Sequence, residues 1–138
     1  MKAYKVVEKR TRLSSNIAIT KVEGIVLPKQ DLSFKYLKQT YNGYVNRYRK
    51  GAVINAVPET PGICCFKERQ DAKIFMNRYR LNNSCTIIEV EGEKEIPWGV
   101  YDLYCNWASL YKLGQDQSSK YKYPIQGFIG FESVTVLG

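Results

Sequence analysis

The segment 44–50 of this 138-residue chain reads Tyr-Val-Asn-Arg-Tyr-Arg-Lys and combines side chains that recognise phosphates with side chains that recognise bases. Guanidinium groups form paired hydrogen bonds with phosphate oxygens, and tyrosine rings stack on bases. In an extended strand, Arg47 and Arg49 project from one face and Tyr48 from the other, with Lys50 at the tip. We therefore predict that these four residues bind a nucleic acid or a nucleotide. The alternative is a solvated strand edge, where charges prevent edge-to-edge aggregation.

Two further arginines, Arg78 and Arg80, lie near the end of the clearest helical pattern, at 68–81. We expect them to extend the same cationic surface if the hairpin predicted for 44–57 lies beside the end of this helix. The helix is indicated by apolar residues at spacings of three and four, which form one buried stripe: Ala72, Phe75, Met76 and Tyr79.

Positive charge is concentrated in the first part of the chain. The net charge is +8, and residues 1–80 contain 17 of the 21 Lys and Arg residues but only 6 of the 13 Asp and Glu residues. Lysine and arginine release counterions from phosphate chains, so this balance favours a polyanionic partner. A charge-rich surface that only maintains solubility is the other interpretation.

Groups that could carry out catalysis are few. The chain has no histidine, which excludes the serine and cysteine mechanisms that use one as a base, and most zinc sites. Carboxylates recur at every second position (Glu89, Glu91, Glu93 and Glu95) and could share one strand face as magnesium ligands of an enzyme. They are more easily explained as the solvated rim of a strand and its turn. We predict no cofactor and no metal, and we favour binding over catalysis.

The four cysteines, at 64, 65, 85 and 105, form no Cys-x-x-Cys motif. Adjacent Cys64 and Cys65 should point to opposite faces of a strand, where apolar neighbours bury them. We predict buried thiols in a reducing compartment, with two disulfides as the less favoured alternative.

Periodicity and turn residues predict an alternation of strands and helices within one domain, 1–138. The predicted fold class is α+β, a mixed and mostly antiparallel sheet with two helices packed on one face. The predicted strands are 3–8, 16–22, 44–50 paired as a hairpin with 52–57, 63–66, 85–90, and one or two closing strands within 125–137; the predicted helices are 31–41 and 68–81.

The segment 62–75, with a short strand ending in Phe and a helix containing Asp-Ala and an aromatic residue, resembles a pattern found in small uncharacterised proteins of bacteriophages and other mobile elements. The Tyr-x-x-Gly at 48–51, the strand at 87–90 and the closing strand at 132–137 are similar to other parts of that pattern. The resemblance covers 44–90 and the C-terminal strand, whereas 95–124 departs from it. It implies a viral or mobile-element setting and no particular activity.

These observations predict an accessory protein of a virus or mobile element that binds nucleic acid or a nucleotide; binding of a nucleotide signal of host defence would counteract that defence. The alternatives are a module that binds a host protein or self-assembles in a virion, and a metal-dependent enzyme on nucleotides. No apolar run approaches the ~18 residues that span a bilayer. We therefore expect a cytoplasmic protein without a membrane partner, in the host cytoplasm if it is viral.

Overall fold

The computed structural model describes residues 1–13, 46–56, 62–96 and 127–138. This part of the chain contains five strands and one helix. In chain order they are β1 (Lys2–Glu8), β2 (Val53–Asn55), β3 (Ile63–Phe66), α1 (Arg69–Arg78), β4 (Cys85–Ile96) and β5 (Phe128–Val136).

Four of the strands close into a small antiparallel barrel. The strand order is β2-β5-β3-β1-β4, and β4 also pairs with β5. Closure depends on the length of β4, which has 12 residues. Its first part pairs with β1, from Glu8↔Cys85 to Lys2↔Glu91, and its second part pairs with β5 from Val90↔Val136 onward. Strand β2 lies outside the closed ring, paired with β5.

Side-chain alternation divides the apolar residues between the barrel interior and the helix side. On β1, Ala3 and Val7 belong to the interior cluster, whereas Val6 belongs to the cluster under α1. Cys65 faces the interior and Cys64 faces the helix, which confirms the prediction that they point to opposite faces. The two clusters cover both faces of β1 and β3, so these strands are buried on both sides.

The helix packs through the predicted stripe, and Ala72, Phe75 and Met76 are buried. The Phe75 ring stands 5.1 Å from Phe66 and 4.9 Å from Tyr79, distances typical of favourable aromatic pairs. The helix ends earlier than predicted.

A Schellman motif ends the helix: Leu81 N–H donates to Met76 O (2.8 Å) and Arg80 N–H donates to Asn77 O (3.3 Å). Arg80 takes the left-handed position of this motif, with φ of 58°, where glycine is usual.

The predicted fold class is wrong. Every strand pairing in the described residues is antiparallel, the sheet closes into a barrel, and these residues contain one helix, whereas the prediction was a mixed sheet with two helices packed on one face. The predicted strand 16–22 and the first predicted helix, 31–41, lie outside the described residues. The predicted hairpin of 44–50 with 52–57 is also wrong, since β2 pairs with β5, and Arg47 forms an isolated bridge with Leu13.

Several local predictions are confirmed. The strand at 63–66 has the predicted bounds, and the closing region forms one strand, β5. Strand β4 begins at the predicted residue but continues past Gly92 to Ile96. The single domain over 1–138 stays a prediction.

Candidate functional site

The segment 46–52 crosses one end of the barrel. At its start, Tyr48 N–H donates to the carbonyl of Arg12 (2.8 Å), in the turn that follows β1. At its end, Gly51 N–H donates to the carbonyl of Val136 (2.9 Å), the last residue of β5. The segment therefore carries three of the predicted site cations across this end: Arg47, Arg49 and Lys50.

Tyr48 lies inside the barrel, not on its surface. Its side chain is 2% exposed and belongs to the interior cluster with Val7 and Val136. The ammonium group of Lys5, itself on the interior face of β1, lies 5.1 Å from the centre of the ring. A base cannot stack on a ring in this position. Tyr48 instead anchors the neighbouring cations of the crossing segment.

Lys5 is a buried amine that the sequence prediction did not identify, and 4% of it is exposed. Burial lowers the pKa of Lys5, the electrostatic effect of the Tyr48 phenol and the nearby thiols raises it, and the pKa is raised overall. The ammonium form lies against the Tyr48 ring as a cation–π pair.

The turn after β1 brings more positive charge to the crossing segment. Glu8, the last residue of β1, is buried and accepts a hydrogen bond from the Thr11 hydroxyl in the turn (2.7 Å). Arg12 has a left-handed φ of 59°, and its Nε donates to the carbonyl of Tyr48 (2.7 Å). Together with the Tyr48 N–H bond, this fixes the turn to the crossing segment. We call the resulting group the basic end: Lys9, Arg10, Arg12, Arg47, Arg49 and Lys50.

Most cations of the basic end are open to solvent. Lys9, Arg10, Arg49 and Lys50 are exposed, and Arg12 and Arg47 are half-buried. None of the four exposed cations forms an ion pair with another residue in the described ranges. Their charge is therefore available to an anion from outside.

The end of the helix approaches the basic end through Lys9. Lys9 N–H donates to the carbonyl of Ser84 (2.9 Å), and its Nζ donates to the carbonyl of Asn82 (3.4 Å). Arg78 and Arg80 are exposed near this turn. No contact among the described residues joins them directly to the crossing segment, and the turn after β1 lies between the two groups.

Sequence reasoning missed Lys9, Arg10 and Arg12 as site residues. The signal was present, because the chain reads Lys-Arg-Thr-Arg immediately after a predicted strand. Its place beside the crossing segment depends on the bond between Arg12 and Tyr48, which are 36 positions apart in the sequence.

Two of the four acidic residues of β4, Glu89 and Glu91, form ion pairs with cations. Glu89 lies 3.1 Å from Lys2 and 3.6 Å from Arg69, and Glu91 pairs with the α-amino group of Met1. A left-handed φ of 56° at Lys94 interrupts the strand geometry before Glu95. Across the described ranges, no three potential ligands come together as a metal site.

Three of the cysteines are buried thiols, as predicted: Cys64, Cys65 and Cys85. Cys105 lies outside the described residues. Burial raises the pKa of Cys65 to about 12 and that of Cys85 to about 11. Both groups are therefore protonated thiols at neutral pH and poor nucleophiles.

The described residues thus form a small antiparallel barrel with one helix against it and a cationic surface at one end. No protein-family model, curated protein or solved structure matches the chain. The phage and mobile-element resemblance therefore stays a prediction. Within the described ranges, no helix has both the length and the apolar character needed to cross a membrane.

Proposed function

We propose that this protein binds nucleic acid through the basic end, with Arg78 and Arg80 contributing from the neighbouring helix end. The observation that carries the proposal is the pair of backbone-directed bonds between Arg12 and Tyr48, which joins two basic segments into one surface. Six cations on a fixed frame suit a phosphate chain, because each phosphate that is neutralised releases a counterion. The protein acts by binding, in the viral or mobile-element setting that the resemblance implies.

Backbone conformation supports the proposal. In the described ranges, three residues other than glycine have a left-handed φ, and all three are basic: Arg12, Arg80 and Lys94. This conformation costs a non-glycine residue about 1–2 kcal/mol. Two of these strained cations, Arg12 and Arg80, lie on the proposed surface, where strained residues are often functional.

The first test removes exposed charge from the basic end. The triple variant Arg10→Ala, Arg49→Ala, Lys50→Ala should bind a labelled oligonucleotide of about 20 nucleotides more weakly, because each lost phosphate contact lowers the slope of log affinity against log salt by about 0.7–0.9. We expect the slope to fall by about 2 units. Fluorescence anisotropy over a range of salt concentrations measures it.

The matched control removes the same charge elsewhere, through Lys2→Ala, Lys67→Ala and Lys94→Ala, all of which are exposed. The control variant should keep nearly the whole slope. Equal slopes for the two triple variants, or an affinity that does not respond to salt, would contradict the proposal.

Arg80 offers a test in which stability and binding move in opposite directions. Arg80→Gly relieves the left-handed residue of the Schellman motif and should stabilise the fold by about 0.5–1 kcal/mol, the strain removed exceeding the entropy added to the unfolded chain. It should also lower the salt slope by about one unit. Urea unfolding and anisotropy measure the two effects.

Arg80→Ala is the control for this substitution. It removes the cation but keeps the left-handed strain, so it should match Arg80→Gly in binding without gaining stability. If Arg80→Gly is more stable and binds as tightly as the parent protein, Arg80 is not part of the surface.

A further inference from the structure

A groove lies on the helix side of the barrel, between α1 and the first residues of β4. Its volume is about 340 Å³, within the range of roughly 300–1,000 Å³ typical of small-molecule sites. Lys9 of the basic end forms part of its wall. The groove is therefore continuous with the proposed nucleic-acid surface but is built mainly by residues outside it.

The wall of the groove is positively charged. It contains Lys9, Arg69 and Lys73, and no residue that lines it is acidic. The Arg69 guanidinium is already engaged, 3.6 Å from Glu89 and 5.2 Å from the centre of the Tyr4 ring. Lys73 is exposed and has no ion pair with any described residue. The charge left for a ligand is therefore that of Lys9 and Lys73, which favours a phosphate group.

The floor of the groove is apolar and adaptable. Ile87 is half-buried and presents most of the apolar surface, and Met76, which is 7% exposed, adds the edge of its thioether beside it. Such a surface accepts a flat ring. Two amides stand beside them. Asn82 Nδ2 donates to Asn77 Oδ1 (2.6 Å), which leaves the Asn77 amide N–H groups and Asn82 Oδ1 for other partners. A donor next to an acceptor complements the edge of a nucleobase.

From these features we infer that the groove binds one nucleoside monophosphate unit, either free or as a single unstacked nucleotide of a strand. Its phosphate lies between Lys9 and Lys73, its base covers Met76 and Ile87, and the amide pair meets the edge of the base. The inference rests on the proposed function and deepens it, since it adds a site for one base next to a surface that binds phosphates.

The two methionines of the chain allow a direct test. Met76 lines the groove, whereas Met1 is 54% exposed and lies outside it. In NMR spectra of protein with labelled methionine methyl groups, we expect the Met76 signal to shift saturably with the four nucleoside monophosphates. The Met1 signal should stay in place, and ribose phosphate alone should have little effect, because it lacks the base.

The Met76 signal, measured with free mononucleotides and with an oligonucleotide of about 20 nucleotides, shows whether the groove takes a free nucleotide or one nucleotide of a strand. Saturation by mononucleotides assigns the groove to a free nucleotide, and a shift only with the oligonucleotide assigns it to a strand. A Met76 signal that moves with neither overturns the inference.

A pair of charge reversals provides the matched control. Lys73→Glu should weaken nucleotide binding about tenfold or more, because it replaces a phosphate partner with a like charge. Lys67→Glu makes the same change at an exposed residue that does not line the groove and should have little effect; equal effects of the two would overturn the inference.

Failure of the groove and failure of the basic end are distinguishable. An oligonucleotide that binds with the expected salt slopes while Met76 stays in place overturns the groove alone. A Met76 shift with mononucleotides, together with equal slopes for the two triple variants, overturns the basic end alone.

Discussion

Gly62→Ala is expected to destabilise the protein by about 3 kcal/mol or more, a large share of the roughly 5–15 kcal/mol that holds a domain folded. Two costs combine at this position. Gly62 has a φ of +91°, which costs an alanine about 1–2 kcal/mol. An added Cβ would also lie 2.5 Å from the backbone oxygen of Phe131 and 2.9 Å from Ile96 Cδ1. Since the closest atom belongs to the backbone, β3 and β5 would have to separate.

Gly51 provides the matched control for this prediction. It has a similar φ of +85°, but nothing lies within 4 Å of the position that a Cβ would take. Gly51→Ala should therefore cost only the conformational part, about 1 kcal/mol after the reduced entropy of the unfolded chain is counted. Urea unfolding followed by circular dichroism compares the two variants. Equal losses for Gly51→Ala and Gly62→Ala would show that the contact between β3 and β5 tolerates a side chain.

The local elements could be predicted from the sequence because their signals are local. The apolar run at 63–66 is bounded by Gly62 and a charged stretch, and the stripe at 72–79 has helical spacing. In the folded protein, the apolar run forms β3 and the apolar stripe is the buried face of α1. The end of the helix was less predictable, because a Schellman motif usually contains glycine and here contains Arg80.

Closure of the barrel could not be predicted from local patterns. Gly92 and Lys94 interrupt the alternation of β4 and resemble a turn, so the strand was expected to end near Val90. In the structure, Gly92 leaves room for the Phe131 ring, which occupies the position that a Cβ would take. The strand therefore continues, exchanges β1 for β5 as its partner, and closes the sheet. The pairing of strands that are far apart in the sequence, such as β1 with β4, depends on the packing of the whole chain and not on local patterns.

The candidate site shows the same division between local and distant information. Arg47, Arg49 and Lys50 could be selected because they adjoin one another in the sequence. Their anchoring to the turn after β1 depends on non-local bonds, and the groove combines a helix, a strand and a turn. A periodic strand pattern correctly placed Tyr48 on the face opposite the arginines, but it does not reveal that this face is the barrel interior.

Tyr48→Ala is expected to cost about 3 kcal/mol or more of stability, as for other large aromatic side chains removed from a core. The ring is 2% exposed, fills the end of the barrel and faces the Lys5 ammonium group at 5.1 Å. Its removal leaves a cavity and a buried cation without its aromatic partner. Because Tyr48 anchors the crossing segment, oligonucleotide affinity should fall as well, through loss of the fixed positions of Arg47 and Arg49.

Tyr48→Phe separates this positioning role from a direct contact with ligand. It keeps the ring and the cation–π pair, so the loss of stability should be limited to about 1 kcal/mol for the hydroxyl group, and the salt slope of binding should be unchanged. A tyrosine that stacked on a base at the surface would behave differently, since Tyr48→Ala would then weaken binding by about 1–3 kcal/mol per base without changing stability. Urea unfolding and anisotropy on the same two variants decide between these roles, and a fully stable Tyr48→Ala protein would contradict the anchoring role.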